Sequence, residues 1–161
     1  MISFQKGKIK GVIIYKLNKN TDNRGVLIET YRQDLLPEGL VPAMSYVSFT
    51  KPGSSRGPHE HRMQTDIFSF LGSGHFLIRL WDNRKDSSSY GSFEELQAGK
   101  SDPITLIIPP GVVHGYKNIS DNELGTVINY PDRLYKGKDR KEEIDEIRYE
   151  DEDDSVFSME E

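Results

Sequence analysis

Cysteine is absent from the 161 residues, so the chain can form no disulfide, no thiolate zinc site and no cysteine nucleophile. No run of about 18 apolar residues occurs, so the sequence offers no candidate membrane span. The opening residues, MISFQKGKIKG, lack the apolar stretch of a signal peptide. Dense stripes of lysine and arginine with interleaved aromatic residues are also missing, which argues against a nucleic-acid partner. Together with the length, these absences favour a single-domain cytoplasmic protein.

The charge is distributed unevenly along the chain. The formal net charge is −5, yet residues 142–161 contain eleven acidic residues and one basic residue, Arg148. Subtracting these from the totals of 26 acidic and 21 basic residues leaves 15 against 20, a net charge of +5 for the rest. A mildly basic body suits an anionic ligand such as a nucleotide diphosphate, whereas the acidic segment is typical of a solvated tail. We therefore expect one domain over 1–138 and an acidic C-terminal extension over 139–161, either as a short helix or partly disordered.

Short β-rich runs separated by glycine, proline, asparagine and aspartate dominate the chain. Two of these runs flank Gly72-Ser73-Gly74 and predict a tight hairpin there. Helical patterns are weak and short, and one of them covers SFEELQAG at 92–99. Strands at this spacing predict a sandwich or barrel that binds ligands in its mouth or interior and that dimerises through its edges. The eight runs cover residues 9–17, 26–32, 43–50, 64–71, 75–81, 104–110, 112–116 and 125–130.

Histidines form the main candidate site. His59 and His61 would share one face of a strand, because side chains alternate with a period of two. Asp66 follows them, and His114 comes after the turn at 109–111. Three imidazoles and a carboxylate are a good ligand set for Fe, Mn, Ni or Zn, but histidine is also a good general base because its pKa lies near neutrality. The residues alone therefore leave metal binding and proton transfer open.

Longer stretches around these residues resemble a known family. The two histidine segments resemble the two cupin motifs, with aspartate where glutamate is usual. In the same order along the chain, four blocks resemble those of the dTDP-4-dehydrorhamnose 3,5-epimerases: DNRGVLIETYR (22–32), SSRGPH (54–59), LWDNRKDSSSYG (80–91) and IIPPGVVHGYKNIS (107–120). The resemblance implies an all-β fold, the cupin double-stranded β-helix or jelly roll. It also implies an isomerase that acts on a nucleotide-linked 4-keto-6-deoxy sugar in polysaccharide biosynthesis and that needs no cofactor.

The resemblance also implies catalytic residues. His59 matches the general base, and His61 is a further candidate for proton transfer. A tyrosine after the last barrel strands serves as the general acid in the family, and Tyr135 fits that position better than Tyr130. An acidic residue near the C-terminus orients the base, for which Asp151 or Asp153 is the nearest match.

Binding residues follow from the same blocks. Arg24 and Arg56 match arginines that contact the diphosphate, and Glu29 matches a glutamate that approaches the nucleobase. In the family, Arg24 and Glu29 enter the site of the neighbouring subunit, so a homodimer is implied. His114 is expected at the substrate site.

The sequence departs from the family pattern at Asp66, where the family has a lysine that can stabilise an enolate. Together with His61, this change completes a set of four metal ligands: His59, His61, Asp66 and His114. A metal-dependent cupin enzyme with one divalent ion is therefore an alternative. Residues 56–74 also resemble the nucleotide-linked 4-keto-6-deoxyglucose 3,4-ketoisomerases, in which paired histidines transfer protons without a metal. A non-catalytic sugar-binding cupin is a third possibility.

Overall fold

The computed structural model describes residues 3–160 and is nearly all-β. Short 3-10 helices occur at Gln33–Leu35 and Lys138–Arg140. Within residues 3–160, no helix has both the length and the apolar character that crossing a membrane would require. The strands are β1 (Gln5–Lys6), β2 (Ile13–Lys16), β3 (Lys19–Asp22), β4 (Gly25–Ile28), β5 (Tyr46–Thr50), β6 (Ser55–Glu60), β7 (Asp66–Phe70), β8 (His75–Asp82), β9 (Ser92–Gly99), β10 (Ile104–Ile108), β11 (Val112–Asn118), β12 (Gly125–Asn129) and β13 (Ile147–Arg148).

Two large sheets form the body of the protein. One has six strands in the order β1-β9-β8-β11-β6-β13, and the other has five in the order β2-β10-β7-β12-β5. Strands β3 and β4 form a separate two-stranded sheet. Neighbouring strands are mostly antiparallel, and the exception is the parallel pair β1 and β9. This is the jelly-roll arrangement that the sequence predicts.

Alternating apolar side chains of the two sheets form the main core. Side chains two residues apart on one strand point to the same face, as Phe76, Ile78 and Leu80 of β8 do in the core. Aromatic rings fill much of the space between the sheets, with Tyr116 of β11 packed edge-on against Phe68, Phe70 and Phe76. The core residues of the inward faces include Phe68, Phe70, Phe76, Ile78, Leu80, Leu106, Ile108, Val112 and Val127. This core fixes the strands that carry the histidines.

Two local expectations from the sequence are wrong. Strands β7 and β8 flank Gly72-Ser73-Gly74 but lie in different sheets, so this segment is a crossover and not a hairpin. Residues 92–99 form strand β9 and not a helical turn, because they pair along β8 from His75 to Trp81. In both places the pairing partners lie outside the segment, and the tertiary pairing overrides the local pattern.

The acidic C-terminal segment is part of the fold over its described length. Strand β13 pairs with β6, with Ile147 opposite Glu60 and Arg148 opposite His59. Further along, the side chains of Phe157 and Met159 are buried in a second apolar cluster with Trp81 and Val113. The expectation of a solvated tail or a short helix is therefore not met. Phe157 and Met159, two apolar residues within this acidic segment, pack against the six-stranded sheet and attach the segment to it.

Candidate active site

A large open cavity lies beside the histidines and has a volume of about 1110 Å³. Its walls come from β6, from the loop that follows β6, and from residues 131–150 of the C-terminal part. Cationic side chains at its border include Arg56, Arg62, Arg133, Lys136, Arg140 and Arg148, and acidic ones include Glu142, Glu143, Asp145, Glu146 and Glu150. A cavity of this size can hold a large ligand, and the cationic side chains among its mixed charges can pair with an anionic part of that ligand.

Four residues meet beside this cavity, and two of them, His59 and His61, form part of its wall. His59 lies on β6 opposite His114 of β11, His61 follows the end of β6, and Asp66 begins β7. One nitrogen or carboxylate oxygen from each of these residues lies within 4.8 Å of the others. The ring centroids of His59 and His114 are 4.4 Å apart, and those of His59 and His61 are 5.5 Å apart. The structure thus brings together the four residues that the two cupin-like motifs predict.

Asp66 lies at the centre of the cluster and is only 1% exposed. Its Oδ1 accepts hydrogen bonds from Gln64 Nε2 at 2.9 Å and from Asn129 Nδ2 at 2.7 Å. Its Oδ2 lies 3.1 Å from His61 Nε2 and 3.2 Å from His114 Nε2. Burial raises the pKa of Asp66, but the contacts with the two imidazoles outweigh it and hold that pKa far below its usual range. Asp66 is therefore an ionised carboxylate.

Backbone carbonyl groups orient two of the rings. Nδ1 of His61 contacts the carbonyl of Asp145, and Nδ1 of His114 lies 3.0 Å from the carbonyl of Val112. Each ring can donate its Nδ1–H there and turn Nε2 towards Asp66. Burial of His61 lowers its pKa, but the carboxylate of Asp66, at ion-pair distance, outweighs burial and raises that pKa to about 9.

The surroundings of His59 are different. Its Nδ1 lies 3.8 Å from Glu146 Oε1 and 4.0 Å from Glu150 Oε2. Burial, followed by the charge of His114, holds the pKa of His59 well below its ordinary value of 6.5. The ring is therefore neutral at neutral pH and can accept a proton.

The two glutamates beside His59 were not singled out from the sequence. The acidic partner was expected at Asp151 or Asp153, but both of these side chains are exposed. Glu146 and Glu150 flank strand β13, and the pairing of β13 with β6 brings them to His59. Only the acidic composition of this segment hinted at such a role, and composition does not indicate which carboxylate turns inward.

Asp145 attaches the C-terminal segment to the loop after His61. Its carboxylate accepts hydrogen bonds from three successive backbone N–H groups, those of Arg62 at 3.0 Å, Met63 at 2.9 Å and Gln64 at 2.9 Å. Charge-assisted hydrogen bonds of this kind are stronger than neutral ones. This contact fixes both the backbone next to His61 and the carbonyl that His61 contacts.

Tyrosines lie at different distances from the cavity. Tyr135 borders it with an exposed ring. Tyr130 is not part of the cavity wall; its hydroxyl is hydrogen-bonded to Thr30 Oγ1 at 2.8 Å and its ring packs against Tyr31. Two tyrosines that the sequence did not single out, Tyr46 and Tyr116, also border the cavity.

The three residues expected to bind the nucleotide fall into two groups. Arg56 borders the cavity, and its Nε donates to Thr50 Oγ1 at 3.1 Å. Arg24 is paired with Asp22 at 2.6 Å in the turn between β3 and β4, where its side chain is 86% exposed. Glu29 borders a second, smaller cavity of about 270 Å³. Within a single chain, Arg24 and Glu29 therefore do not border the histidine cavity.

Comparison with known proteins identifies the family. The family profile described as dTDP-4-dehydrorhamnose 3,5-epimerase matches residues 6–154. The chain is 35% identical over 136 residues to the probable low-salt glycan biosynthesis epimerase Agl13 of Haloferax volcanii, covering 84% of this chain and 86% of that protein. It is also 35% identical over 129 residues to the spore coat polysaccharide biosynthesis protein SpsL of Bacillus subtilis, covering 79% of this chain and 82% of that protein.

A solved structure shares the fold. The dTDP sugar isomerase of Desulfovibrio desulfuricans superposes with a TM-score of 0.75 at 21% identity, covering 87% of this chain and 84% of that one. The match of the family profile and the two relatives at 35% identity agree with the order of the sequence blocks and with the jelly-roll fold. The chain belongs to the dTDP-4-dehydrorhamnose 3,5-epimerase family.

Proposed function

We propose that this protein epimerises or isomerises a nucleotide-diphosphate-linked 4-keto-6-deoxy sugar during the synthesis of sugars for polysaccharides. Membership of the epimerase family over residues 6–154 supports the reaction class. The observation that carries the proposal is the position of His59, a mostly buried imidazole at the cavity wall with the carboxylates of Glu146 and Glu150 near its Nδ1. Carboxylates beside one nitrogen stabilise the protonated ring, which suits an imidazole that accepts a proton from a substrate as a general base.

The reaction needs only proton transfer. A ketone acidifies the C–H bond on the neighbouring carbon, so His59 can remove that proton while the C–H electron pair moves towards the ketone oxygen and an enolate forms. A proton that returns to the opposite face inverts the carbon. The carboxylates of Glu146 and Glu150 stabilise the imidazolium that His59 becomes, and no cofactor takes part in these steps.

We assign the general acid to Tyr135, because Tyr135 borders the histidine cavity and the hydroxyl of Tyr130 is engaged by Thr30. Its phenol donates the returning proton and recovers one from solvent after turnover. His61 is a second proton-transfer group of the same cluster, and its contact with Asp66 holds a proton there at neutral pH.

The nucleotide diphosphate is recognised by charge. The guanidinium of Arg56 borders the cavity, and this group suits phosphate because it donates parallel hydrogen bonds. His114 lies behind the cavity wall, where its ring packs against that of His59 and its Nε2 lies 3.2 Å from Asp66, and we propose that it supports the substrate site from there.

We further propose a homodimer in which Arg24 and Glu29 of one protomer complete the site of its partner. Both side chains are largely exposed and lie away from the cavity of their own chain. Strand β5 is an edge of the five-stranded sheet and exposes Val47 and Phe49, the latter to 62%. Apolar side chains on an open sheet edge are a common basis for pairing with a second copy.

Hydrogen exchange tests the reaction. The protein is incubated with a dTDP-linked 4-keto-6-deoxyglucose in deuterated water, and the sugar is analysed for deuterium at C3 and C5. We expect deuterium at one or both carbons at a rate far above that without protein. Tight nucleotide binding without deuterium incorporation would instead identify a non-catalytic sugar-binding protein.

Mixing two inactive variants tests the shared site. If Arg24 serves the partner's cavity, a mixed dimer of His59→Asn and Arg24→Ala protomers contains one site with both changes and one intact site. We expect the mixture to recover about a quarter of wild-type activity, since about half of the dimers are mixed. Ultracentrifugation checks that the dimers form. If dimers exchange protomers but recover no activity, Arg24 acts elsewhere.

A further inference from the structure

We propose that His61, Asp66 and His114 bind a divalent transition-metal cation. Imidazole nitrogen and carboxylate oxygen suit Zn²⁺, Fe²⁺, Co²⁺, Ni²⁺ or Mn²⁺. The proposal goes beyond the reaction proposed above, because cation binding can be measured in the absence of any sugar.

The distances within the cluster fit a shared ion. Ligand atoms bound to one such cation lie about 2.0–2.2 Å from it, which places neighbouring ligand atoms about 3.0–3.5 Å apart. Asp66 Oδ2 lies 3.1 Å from His61 Nε2 and 3.2 Å from His114 Nε2. The two histidine nitrogens lie within 4.8 Å of each other, so a cation that touches all three atoms draws the two rings closer together.

Two buried polar atoms of the cluster lack hydrogen bonds. Within residues 3–160, neither Asp66 Oδ2 nor His114 Nε2 has a hydrogen-bond partner, although the two lie at ion-pair distance. Buried polar atoms without partners are rare because each costs free energy. Since a carboxylate oxygen and an imidazole lone pair are both electron donors, one cation between them satisfies both.

The surrounding contacts hold the three ligands in the orientation that a cation requires. The Nδ1 atoms of His61 and His114 each face a backbone carbonyl, so Nε2 is the donor atom of each ring. In His61 this Nε2 also lies 3.1 Å from Gln64 Nε2, a contact that the cation replaces. Gln64 and Asn129 occupy Oδ1 of Asp66 and leave Oδ2 facing the two rings. Hydrogen bonds to the far side of each ligand are typical of metal-binding histidines and carboxylates.

His59 remains available for proton transfer in this arrangement. Its Nδ1 faces Glu146 and Glu150 rather than a backbone carbonyl, so its surroundings differ from those of the other two rings. Three ligands from this chain are enough for a bound cation, with the remaining positions taken by water or substrate. When the cation binds, the proton that His61 holds beside Asp66 is released to solvent, and His61 becomes a ligand; its proposed part in proton transfer belongs to the protein without the cation.

The test is a titration of tag-free protein that has been stripped with chelator. Co²⁺ is added in steps, and the visible absorption of the bound ion is followed together with the heat of binding. We expect one Co²⁺ per chain, displaced by Zn²⁺. Asp66→Asn and His61→Asn should each weaken the binding of Co²⁺ at least about tenfold.

The fourth histidine of the chain provides a matched control. His75 is exposed and lies outside the cluster, so His75→Asn should bind Co²⁺ as the wild type does. Wild-type binding no tighter than that of Asp66→Asn, or binding that is lost in His75→Asn, would overturn the proposal. Circular dichroism checks the fold of each variant.

A second measurement uses only the wild type, in case a variant fails to fold. X-ray absorption at the bound metal should show imidazole scattering from two or more rings, and its absence would contradict the site. Isotope exchange into the sugar is scored separately. Binding of Co²⁺ without deuterium incorporation into the sugar would refute the proposed reaction alone. Deuterium incorporation without Co²⁺ binding would refute the cation site alone.

Discussion

Truncation of one side chain in the C-terminal segment should destabilise the whole fold. Phe157 is 7% exposed, and its ring centroid lies 4.6 Å from that of Tyr149, 5.3 Å from Phe4 and 5.6 Å from Trp81. Replacing a buried phenylalanine with alanine costs about 3–5 kcal/mol. Because this cluster lies near the surface and can partly collapse, we expect Phe157→Ala to lower the free energy of unfolding by about 3 kcal/mol.

The chain provides both a reporter and a control for this measurement. Trp81 is the only tryptophan and packs against Phe157, so its fluorescence reports the cluster during urea unfolding. Circular dichroism follows the strands at the same time. The neighbouring Val156 is 45% exposed, and Val156→Ala should change the free energy of unfolding by less than about 0.5 kcal/mol. If Phe157→Ala behaves like Val156→Ala, the segment after 154 is a solvated tail and its described packing does not contribute to stability.

Two further variants test the segments around the site. Asp145→Ala removes the acceptor of three backbone N–H groups and should lower the free energy of unfolding in urea by about 1–3 kcal/mol. Because the loop after His61 loses its anchor, deuterium incorporation into the sugar should also slow. If neither quantity changes, Asp145 does not fix this loop. Burial raises the pKa of Asp82, but hydrogen bonds from Arg84, Ser89 and Ser87 outweigh burial and lower that pKa to about 2. The ionised carboxylate therefore adds about 2 kcal/mol to the free energy of unfolding above pH 3.8, and this contribution is lost as the pH falls through 2. The difference in unfolding free energy between wild type and Asp82→Asn should therefore shrink between pH 5 and pH 2, and a constant difference would refute the assignment.

The sequence predicts the strands where hydrophobic patterning is strong. Strand β10 comes from a nearly continuous apolar run. The resemblance of the two histidine segments to the cupin motifs implies that His59 and His114 come together, and they do so on the paired strands β6 and β11. The same local patterns fail at residues 92–99 and at Gly72-Ser73-Gly74. There the outcome depends on which distant strand is available for pairing, and no local signal encodes that.

Two residues of the candidate site were missed for the same reason, because distant strand pairing decides where they lie. Glu146 and Glu150 act at His59 only because a two-residue strand, β13, pairs with β6 across more than eighty positions of the chain. Their segment is so acidic that it resembles a solvated tail. The buried pair Phe157 and Met159 overturns that interpretation, yet two apolar residues are too few to produce a recognisable pattern.

The central claim is that His59 removes the proton next to the ketone. The most direct measurement is the rate of deuterium incorporation into the dTDP-linked 4-keto sugar by His59→Asn, with His75→Asn as control and dTDP binding measured alongside. We expect His59→Asn to incorporate deuterium at least about 100-fold more slowly than the wild type, with dTDP binding nearly unchanged, and we expect His75→Asn to incorporate it at the wild-type rate. Incorporation at the wild-type rate by folded His59→Asn would show that another group removes the proton.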